Sequence, residues 1–275
     1  MLSNVPLGPL VLPSPELGAV YVWRDRYYAL VCLDDLEPQV NNDFTDFRPG
    51  QTTFVADSPS GPFSPAPRNR RLLVGNSSFF TRFVDTPEGV LVNYQSWEIR
   101  HGSMLNVAKG TTCMAPLKRA VWDDEGTLRL KWWEKNETAK ARHVDVKSRL
   151  LDTDFDPEKT VILEGEMLLS ASPVGLFVQG AGNHGTAFLV HKSGLVEYGD
   201  MDRDGARFEK KGYVDRDLFF EDVAHFRLIR KGRITEFFLN DYLMQCYCLP
   251  ELGTGRLDLI GSSERFGNFK GWYCS

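Results

Sequence analysis

The chain is expected to be all-β: a partial five-bladed β-propeller of about three blades to residue 150, then a β-sandwich over 158–275. Three observations predict this. Apolar and aromatic residues alternate with period two around tight turns, the pattern of half-buried strands. Three hairpin units recur before residue 134 at a spacing of about 50 residues, near what four-stranded blades need. After a charged, aromatic-free stretch over 134–149, short strands follow one another through Gly-rich turns, as in a sandwich.

The first unit is Glu16-Leu-Gly-Ala-Val-Tyr-Val-Trp-Arg-Asp-Arg-Tyr-Tyr-Ala-Leu30. Val20 and Val22 alternate with Tyr21 and Trp23, Arg24 to Arg26 is polar enough to turn, and a second β-rich run extends to Cys32. The reading is a hairpin with a carboxylate, Glu16, at its mouth. A strand over Thr52 to Ala56 then leads into Ser58-Pro-Ser-Gly-Pro-Phe63, a proline-rich turn. Ser77 to Val84 and Val90 to Trp97 flank a Pro/Gly turn and form a second hairpin, whose Phe79, Phe80 and Phe83 would fill space between units. Arg82 is the one charge within that aromatic strand. Two roles stand open for it: holding a substrate or carboxylate in a central funnel, or an ion pair to a neighbouring unit. Ala115 to Val121 and Thr127 to Trp133 make a third hairpin, closed at Gly126.

The first hairpin resembles the acid-bearing blade of five-bladed β-propeller glycoside hydrolases, families 32, 43, 62 and 68. In them a Glu opens the innermost strand of the third blade and a Tyr-Tyr strand follows; Glu16, Tyr21 and Tyr27-Tyr28 stand in the matching places. Leu17-Gly18 departs from the Gly-Pro or Cys-Pro found after that Glu. The Ser58, Gly61, Pro62, Phe63 turn is similar to one at the outer edge of a blade, where the aromatic ring plugs the gap to the next. Ile234 to Asp241 resembles a strand of the C-terminal sandwich of family 32, which buttresses the propeller.

The resemblance implies a glycoside hydrolase acting on fructosyl or pentosyl (arabinosyl, xylosyl) linkages, with Glu16 as catalytic acid and Arg82 and Trp97 as substrate-binding residues. Glycosidases need a pair of carboxylates. The family draws two Asp from its first and second blades, and no segment here resembles those; Asp25, Asp57, Asp85 and Glu98 fall at turns and strand ends. The chain therefore reads as a C-terminal portion of such an enzyme, or a relative without its catalytic front, and whether it is an enzyme by itself stays open. An open partial propeller also exposes a blade edge on which chains can self-associate. The alternative reading is a non-catalytic carbohydrate-binding or scaffold protein, with Arg82, Trp97, Trp132 and Trp133 offering sugar-stacking faces or, for the tryptophans, plain core.

Composition sets the remaining bounds. With 42% hydrophobic and 25% charged residues among 275, the chain is ordinary globular protein. A net charge of −5 and only two short basic knots, Arg68 to Arg71 and Arg227 to Arg233, argue against nucleic acid as a partner. The N-terminus has neither a basic region nor an unbroken apolar core, and no run of apolar residues is long enough to span a bilayer, so a cytoplasmic setting without membrane contact is expected. The five cysteines, Cys32, Cys113, Cys246, Cys248 and Cys274, are expected to be reduced. No cofactor and no metal is expected. The Asp- and Asn-rich segment 36–49 could offer oxygen ligands to calcium, but turn chemistry accounts for it better, and His184 and His191 lack metal partners at useful spacing.

Overall fold

The computed structural model describes residues 16–33, 50–73, 78–97, 112–146, 155–180, 182–205, 207–249 and 256–275. The segment 36–49, the N-terminal residues before Glu16, and Glu98 lie outside this set. Within it the chain is built from antiparallel sheets, with short 3-10 turns only at Glu134–Ala139 and Ser263–Arg265.

The first sheet is a meander of β1 (Glu16–Trp23), β2 (Arg26–Leu33), β3 (Gly50–Ala56) and β4 (Ser64–Pro65), with β5 (Arg71–Leu73) also on β3. Arg24 and Asp25 close the β1–β2 hairpin with φ of 47° and 61°, the left-handed pair that matches the twist of the strands. Alternation in β2 serves two cores. Tyr28 and Leu30 face the second sheet, whereas Ala29 and Val31 pack with Phe54, Ala56 and Phe63. Phe63 therefore seats on its own blade's apolar cluster.

The second sheet begins with β6 (Ser78–Thr86), β7 (Gly89–Trp97), β9 (Lys118–Trp122) and β10 (Leu128–Trp132), with β8 (Thr112–Met114) paired to the far end of β7. The three hairpins of the sequence thus yield two four-stranded, blade-like meanders among the described residues. The third hairpin, β9–β10, docks on β7 through Leu91↔Arg119 and Val92↔Lys118 and completes the second blade. A Lys131↔Tyr242 pairing then carries this sheet into the C-terminal half.

That half contains β12 (Val161–Leu168), β13 (Val174–Gln179), β14 (His184–Val190), β15 (Val196–Asp202), β16 (Phe208–Val214), β17 (Val223–Lys231), β18 (Ile234–Leu239), β19 (Tyr242–Cys248), β20 (Leu257–Ile260) and β21 (Phe266–Cys274). One layer runs β21-β12-β17-β18-β19, the other β16-β15-β14-β13-β20. Between them lies the largest core, including Phe188, Tyr198, Phe226, Phe237 and Leu239. Gly175 is dictated by this packing, because a Cβ there would come within 1.9 Å of the Phe188 carbonyl oxygen. The charged stretch after Trp133 is a 3-10 turn followed by β11 (Lys140–Val144), which joins the sandwich as an edge strand on β21. Its polarity reflects exposure at that edge.

β18 (Ile-Thr-Glu-Phe-Phe-Leu) decides how the two halves meet. All six residues are buried, because one face looks into the sandwich through Phe237 and Leu239 while the other meets the propeller core through Phe238. Glu236 lies on this second face and is carried into the junction.

Candidate functional site

The three site residues expected from sequence lie on neighbouring inner elements of the two blades. Glu16 opens β1, paired in register with Cys32. Arg82 stands on β6 opposite Asn93, and Trp97 ends β7 opposite Thr112, one residue beyond the Ser78↔Ser96 pair at the start of β6. β1 and β6 run side by side in the same direction: Arg82 reaches the Gly18 carbonyl, and three residues further along the Tyr21 hydroxyl donates to Asp85 at 2.8 Å. Tyr21 also packs on Phe83, ring centroids 5.1 Å apart, and on Trp122 at 5.6 Å. Parallel inner strands of adjacent blades put strand starts at one mouth, so Glu16 and the β6–β7 end that carries Trp97 share it.

The backbone is specialised at this mouth. β1 carries an irregularity between Leu17 and Ala19, and β6 one between Phe79 and Arg82. Phe80, inside the second, has φ of 49°, a strained value for an aromatic residue. Bulges re-aim side chains and concentrate beside functional sites. Gly18, inside the first, allows the close approach: a Cβ there would lie 2.9 Å from the Thr81 carbonyl and 3.2 Å from Gln51 Oε1. Arg82 is solvent-exposed, and its Nη1 donates to Gly18 and, at 3.0 Å, to Thr81. Backbone carbonyls therefore hold it beside Glu16's own strand.

Polar groups are buried under the mouth without partners. Gln51, 1% exposed, makes no hydrogen bond through either end of its amide, and Thr81, fully buried, none through its hydroxyl. Gln51 is in register with Cys32, which is in register with Glu16. Buried polar atoms are nearly always satisfied, so such a pair calls for an explanation.

The sequence reading missed a second buried constellation. Lys118 on β9 donates to Glu236 Oε1 at 2.5 Å and to the Tyr94 hydroxyl at 3.3 Å, and the Tyr94 hydroxyl donates to the same carboxylate. Burial, then the Glu236 charge, pushes the Tyr94 phenol well above its ordinary value. Burial likewise pushes the neighbouring Cys246 thiol up to about 11. Cys32, Cys246 and Cys274 are all reduced. Because the thiolate is the reactive form, native Cys246 is expected to resist a thiol reagent at pH 8 and to react at once after denaturation. Rapid native labelling, located by peptide mapping, would contradict its burial. The sequence signal for the Lys118–Glu236 pair was Glu236, the lone charge in β18.

The remaining candidates resolve as structure. Trp132 is buried against Phe238 and donates through Nε1 to Glu137 at 2.7 Å, so it is core and cannot stack on a sugar. Trp133 is half-buried beneath Lys135. His184 pairs with Asp202 at 2.6 Å and His191 with Glu197 at 3.0 Å. Asp25, Asp57 and Asp85 are exposed. Among the described residues no group of three or more His, Cys, Asp or Glu side chains could hold a metal ion, and no helix is long and apolar enough to cross a membrane.

Fold and mouth together define the class: an all-β protein of propeller and sandwich. Among solved structures, the fold is similar to that of glycoside hydrolases of family 32. A Bombyx mori GH32 beta-fructofuranosidase superposes with a TM-score of 0.65 at 14% identity, covering 96% of this chain and 54% of that one. A fructosyltransferase from A. japonicus gives a TM-score of 0.56 at 8% identity, covering 96% and 56%. The sucrose-6-phosphate hydrolase from Lactobacillus gasseri gives 0.52 at 10%, covering 98% and 68%. The chain spans about half the length of the first two, and at these identities the likeness is one of fold. No protein-family model and no curated protein matches the sequence.

Proposed function

We propose that the chain is a glycoside hydrolase-like protein that engages fructosyl or pentosyl saccharides at the mouth between β1 and β6. Glu16 serves as the general acid, and Arg82 and Trp97 hold the sugar. The observation that carries this reading is the convergence of Arg82 on the strand that Glu16 opens, above the unpartnered Gln51 amide and Thr81 hydroxyl. Sugar hydroxyls donate and accept at once, which suits such groups. In support, a mutant of the Bombyx mori enzyme was solved in complex with sucrose.

Hydrolysis needs a second carboxylate opposite the acid, and we assign none to this mouth. The 275-residue chain alone is therefore expected to cleave aryl fructosides, arabinosides and xylosides no faster than its Glu16→Gln variant. A wild-type rate that falls by about 10²–10⁴ in Glu16→Gln, the usual contribution of a positioned acid, would make the chain a self-sufficient hydrolase with the acid as assigned. A substantial rate left untouched by Glu16→Gln would remove Glu16 from the site. The unpartnered Gln51 and Thr81 groups also suit the second reading, a carbohydrate-binding protein without turnover, which predicts saccharide affinity in both forms and hydrolysis in neither.

A further inference from the structure

A cavity of about 310 Å³ lies at one end of the sandwich, where β13 and β15 finish and β14 and β16 begin, a volume at the lower end of small-molecule sites. Thr186, Asp200 and Glu209 stand in one register row across β14, β15 and β16, and His184 faces Asp202 in another. The row that faces the core further along these strands, through Phe188 and Tyr198, becomes polar here. Thr186 and Gln179, both buried, each bring an unsatisfied atom to the lining. Thr186 is 1% exposed and its hydroxyl has no partner. Gln179 is 7% exposed, and its amide donates to the Gly182 carbonyl at 3.2 Å, leaving Oε1 as an unused acceptor.

The carboxylates around these groups already have partners. His184 pairs with Asp202 at 2.6 Å, Lys211 with Asp200 at 3.5 Å and with Glu209 at 2.5 Å, and Arg207 with Glu209 at 3.2 Å. Because these carboxylates already have partners, a neutral ligand fits better than an ion. That ligand must donate to Gln179 Oε1 and can both donate to and accept from Thr186, which is hydroxyl chemistry. Val178, Met201 and Leu249 supply an apolar surface for C–H groups.

We propose that this pocket binds one neutral monosaccharide unit, which would give the sandwich a saccharide-anchoring role besides buttressing the propeller. The proposal rests on the carbohydrate reading of the chain but uses none of the residues at the propeller mouth. D-Fructose and D-xylose, titrated separately into the ¹⁵N-labelled 275-residue chain, are the probes. Saturable shifts are expected at the amides of Gly180, Gly185 and Thr186 for at least one sugar. Thr186→Val keeps the side chain's shape and removes a buried unsatisfied hydroxyl, so the fold should persist. In it the affinity should fall at least about tenfold, the equivalent of one lost hydrogen bond, with the rest of the spectrum unchanged. Saturable shifts confined to β1, β6 and β7 would overturn the pocket while leaving the mouth reading intact. Absence of saturable shifts anywhere would overturn the pocket and count against the mouth as well. Equal affinity in wild type and Thr186→Val would also overturn it.

Discussion

Replacing Lys118 by methionine is expected to destabilise the protein by about 3–5 kcal/mol, the cost of removing one partner from a buried ion pair. Lys118 is fully buried, and its ammonium lies 2.5 Å from Glu236 Oε1, 3.3 Å from the Tyr94 hydroxyl and 4.4 Å from the centre of the Tyr94 ring. In the variant the Glu236 carboxylate keeps only the Tyr94 hydroxyl, and its Oε2 already has no partner. An isolated charge in such surroundings is far costlier than the pair or than two neutral groups. Lys118→Met combined with Glu236→Gln should therefore regain a large part of the loss, which makes the effect electrostatic and not a matter of lost packing. Urea denaturation of both variants checks this. A single-variant loss below about 1 kcal/mol would mean the pair is not sealed from water as the structure has it.

Arg216→Met is expected to cost a similar amount, about 3–5 kcal/mol, through unsatisfied acceptors. The Arg216 guanidinium is buried and donates to four oxygens from both halves of the molecule: the Leu243 carbonyl at 3.0 Å, Met244 at 2.9 Å, Arg71 at 2.5 Å and the Asn69 side-chain oxygen at 2.9 Å. Burial lowers its pKa to about 9, so it remains charged at neutral pH. Arg129 completes the clasp by donating to the Arg216 and Asp217 carbonyls and pairing with Asp123. Burial tends to raise the Asp123 carboxyl, but hydrogen bonds from Arg129 and the Thr127 amide outweigh it and hold it near about 2. Arg216→Lys should rescue little, since one ammonium cannot span the planar fork of four acceptors. Denaturation midpoints for the two variants settle the point; a lysine variant as stable as wild type would show that charge alone holds this junction.

The hairpins were legible because their signals are local. Arg24-Asp25 and the Asp123 to Gly126 turn sit between period-two runs, and both close where the pattern says they should. Pairing between hairpins has no local signature, so the docking of the third hairpin, β9–β10, on β7 could not be read from the sequence. β16 was missed: Phe-Glu-Lys-Lys-Gly-Tyr-Val is an edge strand whose exposed face carries charge, which erases the apolar alternation. Glu16 and Arg82 could be singled out one at a time, as a carboxylate before a strand and a charge inside one, but not their approach through Gly18. The Lys118–Glu236 pair joins residues from opposite halves of the chain, and Gln51, Thr81, Gln179 and Thr186, each with an unsatisfied buried atom, are ordinary strand residues until burial is known.

The central claim, that a saccharide is held at the start of β1 and β6, is tested most directly by the affinity for sucrose in titration calorimetry. The measurement belongs in a Thr186→Val background, so that the sandwich pocket contributes little. Arg82→Ala is expected to weaken binding at least about tenfold, the loss of a charge-assisted hydrogen bond, and Trp97→Ala by a similar factor through lost stacking. Sucrose affinity unchanged in both variants would contradict the account.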